Sequence, residues 1–304
     1  MNSLSKRLPS FFSTAPLEAA LLGLLGLLYT PLIWHWVDGW LNKSISIQHE
    51  YFSHALIGLP FAAYLVWNQR QQWRSLPDRS HPLGWGLIVL ASVFYLSGLP
   101  DWMNLSLPII LLGVTLTLKG WAGAKLQFFP LVLVFFATPT QVPYLIEPYI
   151  LPLQRFIAAT AGFILLQLSV DVTVNDIYLL VNNQPVEVAP HCAGLKLLFT
   201  SLYVAMMLLY WTDVWKSRLR TGLFLFGVIF LSVTGNIIRN TVLSFFHGAG
   251  MHGAFHWLHD SWGGDLYSAG LLFSLLLLIQ VIQRHVPKAL NLKLDAGGGS
   301  GGTF

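Results

Sequence analysis

The chain has 304 residues, 55% of them hydrophobic and only 10% charged, with a mean hydropathy of +0.61. A soluble domain carries roughly 25% charged residues, so this composition excludes a soluble enzyme with an anchor and points to a polytopic membrane protein. The formal net charge of +4 reports loop placement in such a chain rather than nucleic-acid binding, and a single cysteine excludes an internal disulfide or a cysteine-rich metal site.

Lys6 and Arg7 precede the first apolar run. That run, Leu17 to Val37, is long enough to cross a bilayer and is followed by no A-x-A cleavage site, so an uncleaved first helix is expected. The fold expected is an all-α polytopic membrane protein of about eight transmembrane helices. They fall near 17–37, 52–68, 83–99, 103–119, 125–139, 194–212, 219–246 and 265–283. Residues 1–290 read as a single polytopic membrane domain and 291–304 as a flexible Gly-rich tail.

Charge assigns the sides. Arg70, Arg74 and Arg79, then Lys119 and Lys125, then Lys216, Arg218 and Arg220, and finally Arg284, Lys288 and Lys293 fall in alternate loops. The intervening loops hold Asp38, Asp101 and Glu147 with few bases. The positive-inside rule then places both termini in the cytoplasm. The segment 143–170 is apolar enough to suggest a further span, but that span would force the basic loop at 213–220 outside. It also carries Arg155 among Pro148, Pro152, Gln154 and Gln167, and a mid-membrane charge costs at least ~2.5 kcal/mol. Residues 145–168 therefore read as an interfacial amphipathic helix, and the whole of 139–193 as extracytoplasmic. Ile177–Val181 and Val186–Val188, on either side of Asn182-Asn183-Gln184-Pro185, read as a short β-hairpin leading to Cys192.

Three groups of reactive residues gather on the outer side. Cys192 stands at a helix start, where the positive end of the helix dipole favours a thiolate. Asn236, Arg239 and Asn240 are spaced i, i+3 and i+4 and share one helix face. The loop 247–264 holds His247, His252, His256 and His259. His252 and His256 have an i, i+4 spacing suited to a metal, but H-E-x-x-H is absent and no run of carboxylates surrounds them, so neither metal nor cofactor is expected. A thiolate nucleophile, a guanidinium for the oxyanion and an imidazole acid/base make a set able to cleave an amide. A competing reading is a multi-span transporter in which Arg239 and the histidines line a substrate or proton path. No repeat symmetry supports it.

The order Cys192-Ala193-Gly194, Asn236-x-x-Arg239, His259-x-x-x-Gly263 resembles the exosortase/archaeosortase family of membrane transpeptidases. Trp36, Trp40, Tyr51-Phe52-Ser53-His54, the span ending Leu65 to Arg70, and Leu153-Gln154-Arg155 are similar to that family as well. The resemblance implies a cysteine protease/transpeptidase of the inner membrane with an extracytoplasmic site. It would cleave C-terminal sorting signals (a short Pro-Glu-Pro-like motif, a transmembrane helix and a basic tail) of secreted proteins through a thioacyl intermediate. It implies Cys192 as nucleophile, Arg239 as the transition-state or substrate-positioning cation, His259 as acid/base and Asn236 in support. Partners would be the secreted substrates and the lipid bilayer, with an accessory membrane protein as a further candidate and no nucleic acid. Here Ala193 and Lys196 stand where many members carry Ser and Arg, and His191 precedes the cysteine. His191 is a rival base, set lower because adjacent residues at a helix start point in different directions. His259 is favoured in its loop because it has a glycine four residues on.

Overall fold

The computed structural model describes residues 14–42, 51–189 and 194–287. Packing divides the chain into two compact units, 1–140 and 141–304.

The first unit is helical. Helix α1 is Thr14–Asn42, α2 Ala55–Asn68, α3 Arg70–Ser75, α4 Pro82–Leu96, α5 Pro100–Leu126 and α6 Phe128–Ala137. Helices α4 and α5 each open with proline in the first turn, where its missing N–H costs nothing. They pack against one another, and α2 packs on α6. Polar side chains tie this apolar unit together. Trp36 Nε1, in a fully buried residue, donates to Asn104 Oδ1 at 2.8 Å, and Asn104 Nδ2 donates to the Pro139 carbonyl at 3.0 Å. Tyr29 donates to Ser106 at 2.9 Å, and His54 Nε2 lies 3.1 Å from the Phe136 carbonyl. Two stretches singled out in the sequence, Trp36 and His54, therefore both serve the backbone around the end of α6.

In the second unit, α7 (Val142–Ile146) and a 3₁₀ turn, Glu147–Tyr149, lead to α8, Leu151–Gln167. Helix α8 buries Gln154, Ile157, Ala158, Ala161, Gly162 and Leu165, a single stripe at helical spacing. A three-stranded antiparallel sheet follows: β1 Val172–Asn175, β2 Tyr178–Val181 and β3 Gln184–Glu187, in the order β1-β2-β3. Then come α9 (Leu195–Trp211), a 3₁₀ turn at Val214–Lys216, α10 (Arg218–Gly248), α11 (His252–His259) and α12 (Trp262–His285). Helices α9, α10 and α12 enclose a core of Ala205, Leu209, Val214, Phe224, Val228, Leu275, Ile279 and Ile282. Buried Arg220, at the start of α10, donates to the carbonyls of Gln283 and Val286 at the end of α12. A cation there satisfies carbonyls that a helix end leaves without partners.

The expected eight spans are not what forms. Among the described residues three helices are long and apolar enough to cross a membrane: Pro100–Leu126, Arg218–Gly248 and Trp262–His285. Four other apolar runs yield the shorter helices Ala55–Asn68, Pro82–Leu96, Phe128–Ala137 and Leu195–Trp211. At 1.5 Å per residue these reach roughly 15–25 Å, short of the ~30 Å hydrocarbon core. The discrepancy is physical: hydropathy counts side chains, whereas span length needs unbroken backbone. The run at 83–99 stops at Ser97, just before Gly98 with φ +70°. Within the expected turn at 119–125 the chain leaves helical geometry at Gly120 (φ +58°, ψ −152°), and a further helical stretch runs on to Leu126. Lys119, expected in a cytoplasmic turn, is buried, 2.6 Å from Asp78 Oδ1 and 3.0 Å from the Leu76 carbonyl. The expected hairpin does form as β2 and β3, with Asn182 and Asn183 both at positive φ in a two-residue turn, as type I′ requires. Gln184 and Pro185, read as loop, already belong to β3, an edge strand that tolerates proline. Strand β1 is additional.

Replacing Asn104 with Leu leaves Trp36 Nε1 and the Pro139 carbonyl without their shared partner. At about 1–3 kcal/mol per orphaned buried group, the variant should unfold at clearly lower temperature in detergent, whereas Tyr178→Phe at an exposed position should not.

Candidate functional site

The second unit brings two of the three reactive groups into one neighbourhood. On α10, Asn236 and Asn240 are buried and Arg239 is half-buried. Asn240 Nδ2 donates back to the Asn236 carbonyl at 2.9 Å. Arg239 opens on a cavity of about 340 Å³ lined by Phe246, Trp257, Leu258, Leu266 and Tyr267. Its Nε is buried with no hydrogen-bond partner among the described residues. A guanidinium with such walls sits in a poorly screened setting, where its charge acts on a ligand more strongly than in water.

His259 is the last residue of α11. Its Nδ1 lies 2.6 Å from Asp260 Oδ1, and its ring stacks on Phe255 at 5.1 Å and 10°. The other carboxylate oxygen of Asp260 lies 2.8 Å from His256 Nδ1. Two of the four histidines thus share one carboxylate. His252 is exposed at the start of α11, and the His247 ring lies tilted against Phe255, 5.5 Å between centroids. Among the described residues no three His, Cys, Asp or Glu side chains gather as metal ligands. Arg239 and His259 flank one glycine: a Cβ on Gly264 would stand 3.8 Å from Arg239 Nη2 and 3.8 Å from the His259 carbonyl oxygen. Gly263 also has a reason. A Cβ there would lie 2.6 Å from the Trp257 backbone oxygen and from its indole.

Cys192, like His191, lies outside the described residues. The chain on both sides of it is fixed. Upstream, Val188 is buried, its N–H donating to the Ile177 carbonyl at 2.9 Å and its carbonyl accepting from Gln154 Nε2 at 2.8 Å. Asn182 Nδ2 ties the hairpin to the Gly248 carbonyl at the end of α10, at 3.1 Å. Downstream, Gly194 starts α9 in the left-handed conformation, φ +80°. A Cβ there would fall 2.5 Å from the Asn236 side-chain carbon. The helix that follows the cysteine therefore begins directly against Asn236, one turn before Arg239.

Sequence reasoning missed Gln154 and Asp260 as parts of this neighbourhood. In the sequence Gln154 stands out as a polar interruption and as part of the family-like Leu153-Gln154-Arg155, with no signal of its partner. The signal for Asp260 was available: a carboxylate adjacent to one histidine and four residues after another, in reach of both at a helix end.

Asp260 is held below the usual carboxylate range, chiefly by its hydrogen bond with His259, which outweighs the opposing effect of burial, with a further contribution from its hydrogen bond with His256. A carboxyl depressed in the folded state contributes stability above its unfolded pKa of about 3.9, and that contribution disappears as pH falls through the lower folded value. Amide protection of α11 should therefore persist at about pH 5 and fall only below the ordinary carboxylate range, as protection factors from hydrogen exchange will report. Gly194→Ala should destabilise the protein through both the strained φ and the collision. Gly194→Ala with Asn236→Ala should recover only part of the loss, since the collision goes and the backbone cost of about 1–2 kcal/mol stays. Thermal midpoints of the wild type and the two variants check this.

The family model described as Transmembrane exosortase matches residues 36–277. No curated protein and no solved structure matches the chain.

Proposed function

This chain belongs to the transmembrane exosortase family, and we propose that it is a cysteine transpeptidase/protease whose nucleophile is Cys192. Family membership and the long apolar helices carry the coarser statement that it is a membrane protein with a sorting-related function. The substrates proposed are secreted proteins that end in a short sorting motif, a transmembrane helix and a basic tail. The charge pattern of the loops supports a site on the extracytoplasmic side with both termini cytoplasmic.

One observation carries the assignment of roles. Gly194, two residues after Cys192, is seated on Asn236, on the helix that presents Arg239 to an apolar cavity. The thiolate of Cys192 adds to the scissile carbonyl carbon, and the carbonyl electrons move onto oxygen. Arg239 offsets the charge on that oxyanion. His259 takes the thiol proton and gives it to the departing amine as the C–N bond breaks. The resulting thioacyl enzyme is released by an acceptor amine or by water, which takes over the acyl group and returns the thiol. Asn236 supports this arrangement by holding the start of α9.

Co-expression with a candidate substrate, followed by intact mass of its C-terminus, tests the reading. Cys192→Ala and Cys192→Ser should both insert and fold yet leave the substrate at full length. Arg239→Lys should recover little over Arg239→Ala, because an ammonium lacks the planar fork. Unchanged processing in both cysteine variants overturns the proposal.

A further inference from the structure

We propose that Asp260 is a positioning residue that fixes the ring and tautomer of His259, so that Nε2 is the nitrogen that exchanges a proton with Cys192. This rests on the role given to His259 above. An ionised carboxylate only accepts hydrogen bonds, so it binds an imidazole nitrogen only when that nitrogen carries hydrogen. With Nδ1 committed to Asp260 Oδ1 at 2.6 Å, proton exchange by the neutral ring falls to Nε2. The Cys192 S–H bond then breaks as a bond from Nε2 to that proton forms. The imidazolium so produced stays beside an anion that stabilises it, the relation that orients the base in hydrolytic triads. The stack on Phe255 fixes the plane of the ring as Asp260 fixes its rotation.

Two features separate this from a chance surface pair. Asp260 is the C-cap of α11, where the helix dipole disfavours a negative charge; a carboxylate there is sustained by its two imidazoles. The two histidines are also unequal. The His259 side chain is 29% exposed, whereas that of His256 is 72% exposed and engages the second oxygen, so the carboxylate is held at both ends and its inner partner is His259.

The chain has one cysteine, so N-ethylmaleimide reports on Cys192 alone. Its sulfur adds to the maleimide double bond, and the neighbouring ring carbon takes a proton from water. The second-order labelling rate of the full-length protein in detergent at pH 7 is the measurement. His259→Gln and Asp260→Asn should each slow labelling by roughly 10- to 100-fold, the low end of what a general base contributes. The double variant should be no slower than either single one, and Asp260→Glu should restore part of the rate. Asp260→Asn combined with His256→Gln should show no such masking. If His259→Gln labels at the wild-type rate, the base assignment of His259 fails and the role of Asp260 fails with it. If His259→Gln is slow while Asp260→Asn is normal, or if the two losses multiply, only the role of Asp260 is overturned.

Discussion

Helix Arg218–Gly248 must satisfy three different neighbours along its 31 residues, and the second unit is built on that requirement. Near its first turn, buried Arg220 closes the end of the last helix. Past its midpoint, Asn236 fills the space left by a glycine at the start of the helix after Cys192. At its last residue, the Gly248 carbonyl holds the turn of the sheet through Asn182. Register along α10 thus couples a capped helix end, the entry of α9 and the hairpin before it. A one-residue slip would rotate Asn236 by about 100° and lose all three.

The constraint at Gly194 is the tightest of these because two independent requirements fall on one residue. Its backbone is left-handed, which favours glycine by roughly 1–2 kcal/mol. Its missing side chain is also the space Asn236 occupies. Upstream, Gln154 spends a buried amide on the Val188 carbonyl, a bond that keeps the approach to the cysteine from swinging free. The sheet itself is small and would be marginal alone. It persists because Leu179 and Val181 are fully buried beside α8 and α10.

How far all this could be read from sequence depends on whether a feature is local. The Asn182-Asn183 turn is legible because positive φ at two successive positions demands such residues. The shared face of Asn236 and Asn240 follows from helical spacing alone, and the choice of His259 among four histidines rested on a glycine that proves to be required by Trp257. Span number was not legible. Leu96 is followed by Ser97-Gly98 and Leu126 by Gln127, and an apolar window passes over such interruptions although the helices end there. The burial of Lys119 was not legible for a related reason: its partner Asp78 is 41 residues away in sequence. Strand β1, Val172-Thr173-Val174-Asn175, alternates at every position but is only four residues long, at the lower limit of a legible strand. Asp260 is legible only once the histidines are weighed as partners of a carboxylate, adjacent to one and four residues after another, instead of as metal ligands.

The first unit gives the family-like residues near its start a plain physical role. Trp36 and His54 need no part in chemistry to be indispensable. Each delivers a polar group into an apolar helical assembly, and each is answered by backbone or by Asn104 near the end of α6. In an assembly with few polar groups, an indole N–H that has found a partner cannot move without losing it. Such bonds add little net stability when made but cost fully when broken. They therefore act on specificity more than on strength, holding one arrangement among several that apolar packing alone would allow.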